Sequence, residues 1–185
     1  MSLGESLRQL ADLGIKGPSC HKTSISTSTK KMRENRQTII FDSSGLTALM
    51  NETDAFHHRA LNISEILTDR AAWRVILPHE IFAETVTAIS KQVSREAGAK
   101  AAHALLERQS AGDFVFSETD SLIYKQAIDL LQSSAKGSRG APSFFDCLVM
   151  AFATHYQTSY IFGFDEVFAK HGYRLLEATG RRQAT

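Results

Sequence analysis

Short apolar runs alternating with segments of helical periodicity constrain this chain more than any other feature. The runs are Thr38-Ile39-Ile40-Phe41, Trp73-Arg74-Val75-Ile76-Leu77, Phe114-Val115-Phe116 and Tyr160-Ile161-Phe162, with a short fifth at Tyr173-Arg174-Leu175-Leu176. Runs of this length, rich in β-branched and aromatic residues, read as buried strands. Between them the spacing predicts a short helix over Leu46 to Met50 and a second carrying Phe56, Ala60, Ile63 and Leu67, with Asn51, Thr53 or Asp54 as caps. A helix from His79 to Val93 has Phe82, Val86, Ile89 and Val93 as its apolar stripe. Another runs from Glu96 to Arg108, closed by Gly112. Ser117 and Asp120 have capping-box spacing for a helix carrying Ile123, Ala127, Leu130 and Leu131, and Pro142-Ser143 opens a strongly apolar one. Strands alternating with helices are the pattern of a parallel sheet covered on both faces. The expected fold is α/β, a three-layer α/β/α arrangement around four to five parallel strands.

The 185 residues suffice for one domain with a sizeable core. Residues 1 to 36 read as a flexible extension, because Ser19 to Thr29 is polar and is followed by Lys30, Lys31, Arg33 and Arg36. Residues 37–177 form the domain and 178–185 a short tail. A net charge of +1 means that a polyanion is held by a local patch and not by a global field. The only cysteines, Cys20 and Cys147, lie far apart with no zinc spacing, which points to a reducing, cytoplasmic setting. The start lacks the pattern of a secretory signal, and no run reaches the roughly 20 apolar residues that span a bilayer.

The acids carry the chemistry. Asp42 ends the first strand and precedes Ser43, Ser44 and Gly45, so by itself it reads as a cap for the next helix. In open α/β folds, however, ligands gather beyond the carboxyl ends of the strands. Asp165 closes Tyr160-Ile161-Phe162-Gly163-Phe164 at the same edge. Asp146 lies three residues after Ser143 among Phe145, Leu148, Val149 and Met150, and reads equally as a capping-box acid or a metal ligand. Glu80 and Glu84 stand one turn apart, and pattern alone does not decide the role of Glu84. The histidines show no ligand spacing, and Cys147 reads as a small core residue.

These stretches, taken in order, resemble the PIN-domain nucleases, and especially the VapC-type toxins of toxin-antitoxin pairs. The resemblance rests on Ile39-Ile40-Phe41-Asp42-Ser43-Ser44, on Leu77-Pro78-His79-Glu80-Ile81-Phe82-Ala83-Glu84, on Ser143-Phe144-Phe145-Asp146-Cys147, and on Phe162-Gly163-Phe164-Asp165 with His171-Gly172. It implies a PIN-like fold and four site acids, Asp42, Glu84, Asp146 and Asp165, holding Mg²⁺ or Mn²⁺ for hydrolysis of RNA. One departure stands out: the family places Thr or Ser where this chain has Gly163. Ser43, Lys136 and Arg139 are the candidate substrate contacts, the last two as phosphate partners in the loop before Asp146. A homodimer and a small antitoxin protein are the partners implied. Two rival readings are a catalytically inactive PIN-like protein-binding module and an Asp-nucleophile phosphohydrolase. Ser44 weakens the second, since that class places another Asp two residues after the nucleophile.

Overall fold

The computed structural model describes residues 36–134 and 140–176. The N-terminal extension except Arg36, the C-terminal tail, and the loop with Lys136 and Arg139 lie outside the described residues.

In chain order the elements are β1 (Gln37–Phe41), α1 (Ser43–Met50), α2 (His57–Leu67), β2 (Trp73–Pro78), α3 (His79–Gln92), α4 (Arg95–Ser110), β3 (Val115–Ser117), α5 (Ser121–Ser134), α6 (Phe144–His155), β4 (Tyr160–Phe162), α7 (Glu166–Lys170) and β5 (Arg174–Leu175). The five strands form one sheet in the order β3-β2-β1-β4-β5, with every neighbouring pair parallel. Ile39, Ile40 and Phe41 are all buried although successive residues point to opposite faces. Both faces are therefore covered, as expected for the three-layer α/β/α fold. The order places β1 between β2 and β4, so the chain leaves β1 in one direction and returns on its other side. That is a topological switch point, and Phe41 pairs there with Phe162 across the β1–β4 contact.

The core is shared by the sheet, by α1 and by α6, whose Cys147 to Ala153 are buried without interruption. Cys147 is thus a core residue, and His57 is a satisfied one, its Nδ1 2.8 Å from the carbonyl oxygen of Ala48. Three details differ from the sequence reading. The buried face of α3 carries Ile81, Thr85 and Ile89, whereas Val93 is exposed. Thr85 can be buried because its hydroxyl donates to the carbonyl of Ile81 at 2.7 Å, which removes the cost of an unpaired polar group. The cap of α5 is Asp120, whose Oδ1 accepts from the N–H groups of Leu122 and Ile123, so Ser117 is not its capping residue. Finally, β4 ends at Phe162, and Asp165 caps α7 instead of closing the strand.

Gly45 sets how closely α1 approaches β4. A Cβ there would stand 2.6 Å from the backbone oxygen of Phe162. Backbone cannot give way as a side chain can, so helix and strand must separate. Gly45→Ala is expected to cost about 1–3 kcal/mol of stability by overpacking, measured by chemical denaturation. An unchanged denaturation midpoint would show that α1 is free to shift.

Candidate active site

Asp42 stands where β1 turns into α1, held from both sides. Its N–H donates to the Phe162 carbonyl at 3.0 Å, continuing the β1–β4 pairing by one residue. Its Oδ2 caps α1, accepting from the Ser44 N–H at 3.0 Å and from the Ser44 hydroxyl at 2.5 Å. The helix-capping role read from sequence is therefore real, and it leaves Oδ1 without a hydrogen-bond partner among the described residues. Asp42 is only 3% exposed. Burial pushes its pKa up to about 7 against the opposing pull of the two Ser44 hydrogen bonds, and the negative charges of Asp146 and Glu84 push further in the same direction.

Asp146 is the third residue of α6 and forms a capping box with Ser143. Its N–H donates to the Ser143 hydroxyl at 3.1 Å, and its Oδ2 accepts from the Ser143 N–H at 2.6 Å. Burial raises its pKa, the Ser143 bonds oppose this, and Asp165 raises it further while His171 counteracts. Glu84, in the second turn of α3, is also raised by burial, with Asp146 adding to the rise and the Ser43 hydroxyl opposing it. Its Oε2 is buried with no hydrogen-bond partner among the described residues. Asp165 is the exposed N-cap of α7, its Oδ1 accepting from Val167 N–H at 2.8 Å. Glu80 is turned away, accepting from the hydroxyls of Tyr124 and Thr119.

The four acids therefore repel one another in a chain: Asp42 with Asp146 and Glu84, Glu84 with Asp146, and Asp146 with Asp165. Among the described residues none of them forms an ion pair with Lys or Arg. Nor do three His, Cys, Asp or Glu side chains converge there into a ready-made metal set. Three of the carboxylates each commit one oxygen to the start of their own helix. Even so, the donor set fits a hard divalent cation. It consists of carboxylate oxygens alone, carries excess negative charge, and includes a buried oxygen that no protein group satisfies.

Sequence reasoning missed the part played by Ser44. Its hydroxyl donates to Asp42 and accepts from the Phe164 N–H at 2.9 Å, tying the end of β1 to the segment beyond β4. Gly163 faces this bridge. A Cβ at Gly163 would lie 3.0 Å from Asp42 Cβ, 3.1 Å from its Oδ2 and 3.2 Å from the Ser44 hydroxyl oxygen. The absence of a side chain at 163 is thus matched by a hydroxyl that reaches the same place from α1. The usable signal was the Ser44 and Gly163 pair, which lie 119 positions apart and meet only across the β1–β4 contact.

The raised pKa of Asp42 makes the stability of the protein sensitive to pH. With the folded value above the unfolded one, the native state binds the extra proton between them, so stability falls as pH rises. The loss starts near the unfolded value of 3.8 and is complete above about 7, amounting to about 4 kcal/mol at most from Asp42. Glu84 and Asp146 act with the same sign. Urea denaturation without divalent ions should show this decline, and Asp42→Asn should flatten it. A stability that rises over that range would contradict the burial assigned to Asp42.

Comparison with known proteins places this arrangement in context. No curated protein sequence matches the chain. Among solved structures the fold is similar to the crystal structure of VapC20 from Mycobacterium tuberculosis, a sarcin-ricin loop cleaving toxin. The two share 22% sequence identity at a TM-score of 0.62, over 75% of this chain and 98% of that one. At that identity the likeness concerns the fold. A family profile described as PIN domain matches residues 39–172, a span that takes in all four acids, and the chain belongs to the PIN-domain family.

Proposed function

We propose that this protein is a metal-dependent endoribonuclease and the toxin of a type II toxin-antitoxin pair, acting in the cytoplasm. The observation that carries the reading is the buried, unpartnered oxygen of Glu84 within a group of mutually repelling carboxylates at the sheet's switch point. Buried charge of one sign without a counter-charge is costly, and a bound cation relieves it. RNA as the substrate class is taken from the VapC-like motifs and from the activity of VapC20.

Asp42, Asp146, Asp165 and Glu84 would hold Mg²⁺ or Mn²⁺. Such a cation, when bound, lowers the pKa of a coordinated water and offsets charge on the leaving oxygen. The chain's own contribution is positioning. Ser44, through its N–H and its hydroxyl, fixes the Asp42 carboxylate, and the capping box fixes that of Asp146. Glu84 has an oxygen available to accept a proton from the attacking water. Ser43, which faces Glu84, and the loop cations Lys136 and Arg139 serve as substrate contacts in this reading. Phosphate contacts of that kind weaken with salt.

A homodimer and an antitoxin complete the proposal. Exposed Leu122 and Ile128 on α5, with Val93 and Leu106, leave apolar surface of the sort that such partners cover. Among the described residues no helix is long and apolar enough to cross a membrane.

The test is cleavage of structured and unstructured RNA by the purified protein with Mg²⁺, Mn²⁺ or EDTA. EDTA should abolish cleavage. Asp42→Asn and Asp146→Asn should each reduce it by about two orders of magnitude or more, since even residues that only orient ligands cost 10–100-fold. Cleavage that persists in EDTA or in both variants would rule out the mechanism.

A further inference from the structure

Immediately beside the acids stands an aromatic stack that the hydrolytic reading leaves unused. The rings of Phe56 and Phe164 lie parallel, 4.7 Å apart with 6° between their planes. Phe164 is the residue between Gly163 and Asp165, and its N–H is bound to the Ser44 hydroxyl that also holds Asp42. Behind it, Phe162 meets it edge-on at 6.1 Å and is in turn packed on Phe41 at 4.9 Å. The stack is therefore anchored in the core at one end and open to solvent at the other, where Phe56 remains 44% exposed. Arg59, three residues further along α2, places its guanidinium 5.4 Å from the centre of the Phe164 ring. Residues three apart share one side of a helix, so the cation and the exposed ring are presented together.

Helix capping does not account for Phe56. It occupies the N-cap of α2 and makes no side-chain cap bond, where Ser, Thr, Asp or Asn would stabilise the helix. The preceding turn is closed by Asp54, whose Oδ1 accepts from the Phe56 N–H at 2.8 Å. This fixes the backbone of Phe56 and leaves its ring facing outward. A rigid, half-exposed ring stacked on a second ring, flanked by a guanidinium and adjoining a site for phosphodiester chemistry, has the features by which proteins hold unpaired bases.

We infer that the Phe56–Phe164 stack is a base platform: an unpaired base next to the scissile phosphodiester stacks on Phe56, extending the aromatic series by one layer. The platform is indifferent to base identity, because every base has a π face, and it favours single-stranded or looped RNA, in which a base is free to enter. This inference rests on the ribonuclease reading.

Its test uses the full chain as wild type, Phe56→Ala and Phe56→Trp. Cleavage of a single-stranded RNA oligonucleotide is measured in Mn²⁺, and binding is measured by fluorescence anisotropy in the Asp42→Asn background. A set of oligonucleotides carrying one abasic site at successive positions is compared with the intact strand. Phe56→Ala should weaken binding about tenfold, a typical loss for one stacked base, and Phe56→Trp should recover it. One abasic position should cost the wild-type ring about the same factor yet cost Phe56→Ala almost nothing, because the two losses remove one contact. Thermal melting identifies any unfolding of Phe56→Ala, and Phe56→Trp then carries the abasic comparison. If wild type cleaves RNA and Phe56→Ala binds and cleaves equally well, the platform is wrong and the ribonuclease reading stands. If abasic sites cost both proteins alike, the platform is likewise wrong. If wild type neither binds nor cleaves RNA, both readings fall.

Discussion

The site depends on the pairing of β1 with β4. That contact continues through the N–H of Asp42 to the carbonyl of Phe162, and it brings together two segments about 120 residues apart in the chain. Once they are adjacent, Ser44 bridges them, Gly163 leaves room for the bridge, and Asp42 is buried with one oxygen occupied. Each of these features fills the space or satisfies the hydrogen bond that its neighbour leaves.

In three of the four carboxylates, helix capping and the proposed metal binding would use different oxygens. Asp42, Asp146 and Asp165 stabilise the start of α1, α6 and α7 through one oxygen, in keeping with the favourable position of an acid at a helix N-terminus. The helix starts thereby hold three charges near one another despite their repulsion. Glu84 differs, having no helix start to satisfy, and its buried oxygen is left without a partner. Capping and metal binding compete as explanations of these acids in the sequence; the structure shows the capping, and the metal binding proposed above would fall to the remaining oxygens.

How much was legible follows from the range of each interaction. Local patterns read correctly: strands from apolar runs such as Ile39-Ile40-Phe41, the opening of α6 by Ser143, the burial of Cys147. The stripe of α3 was misplaced toward Val93 because hydrophobicity alone ranks Val above Thr, whereas Thr85 is buried after bonding to Ile81. The cap of α5 was shifted because Ser117 and Asp120 fit the spacing of a capping box, yet the helix begins only after Asp120. The pairing of Ser44 with Gly163 and the stacking of Phe56 on Phe164 had no local signal at all.

The sequence by itself determined the alternation of strands and helices, hence the parallel sheet, and the identities and order of the four acids, hence the family. Both are written in short-range periodicity and in motifs a few residues long. Tertiary structure alone decided which acid oxygens are spent on helix starts, that one oxygen of half-buried Glu84 is enclosed within range of the Asp146 charge, and that an aromatic stack rises next to Asp165. Those facts depend on the distance between side chains remote in the chain, and that distance exists only once the strand order has placed β1 against β4.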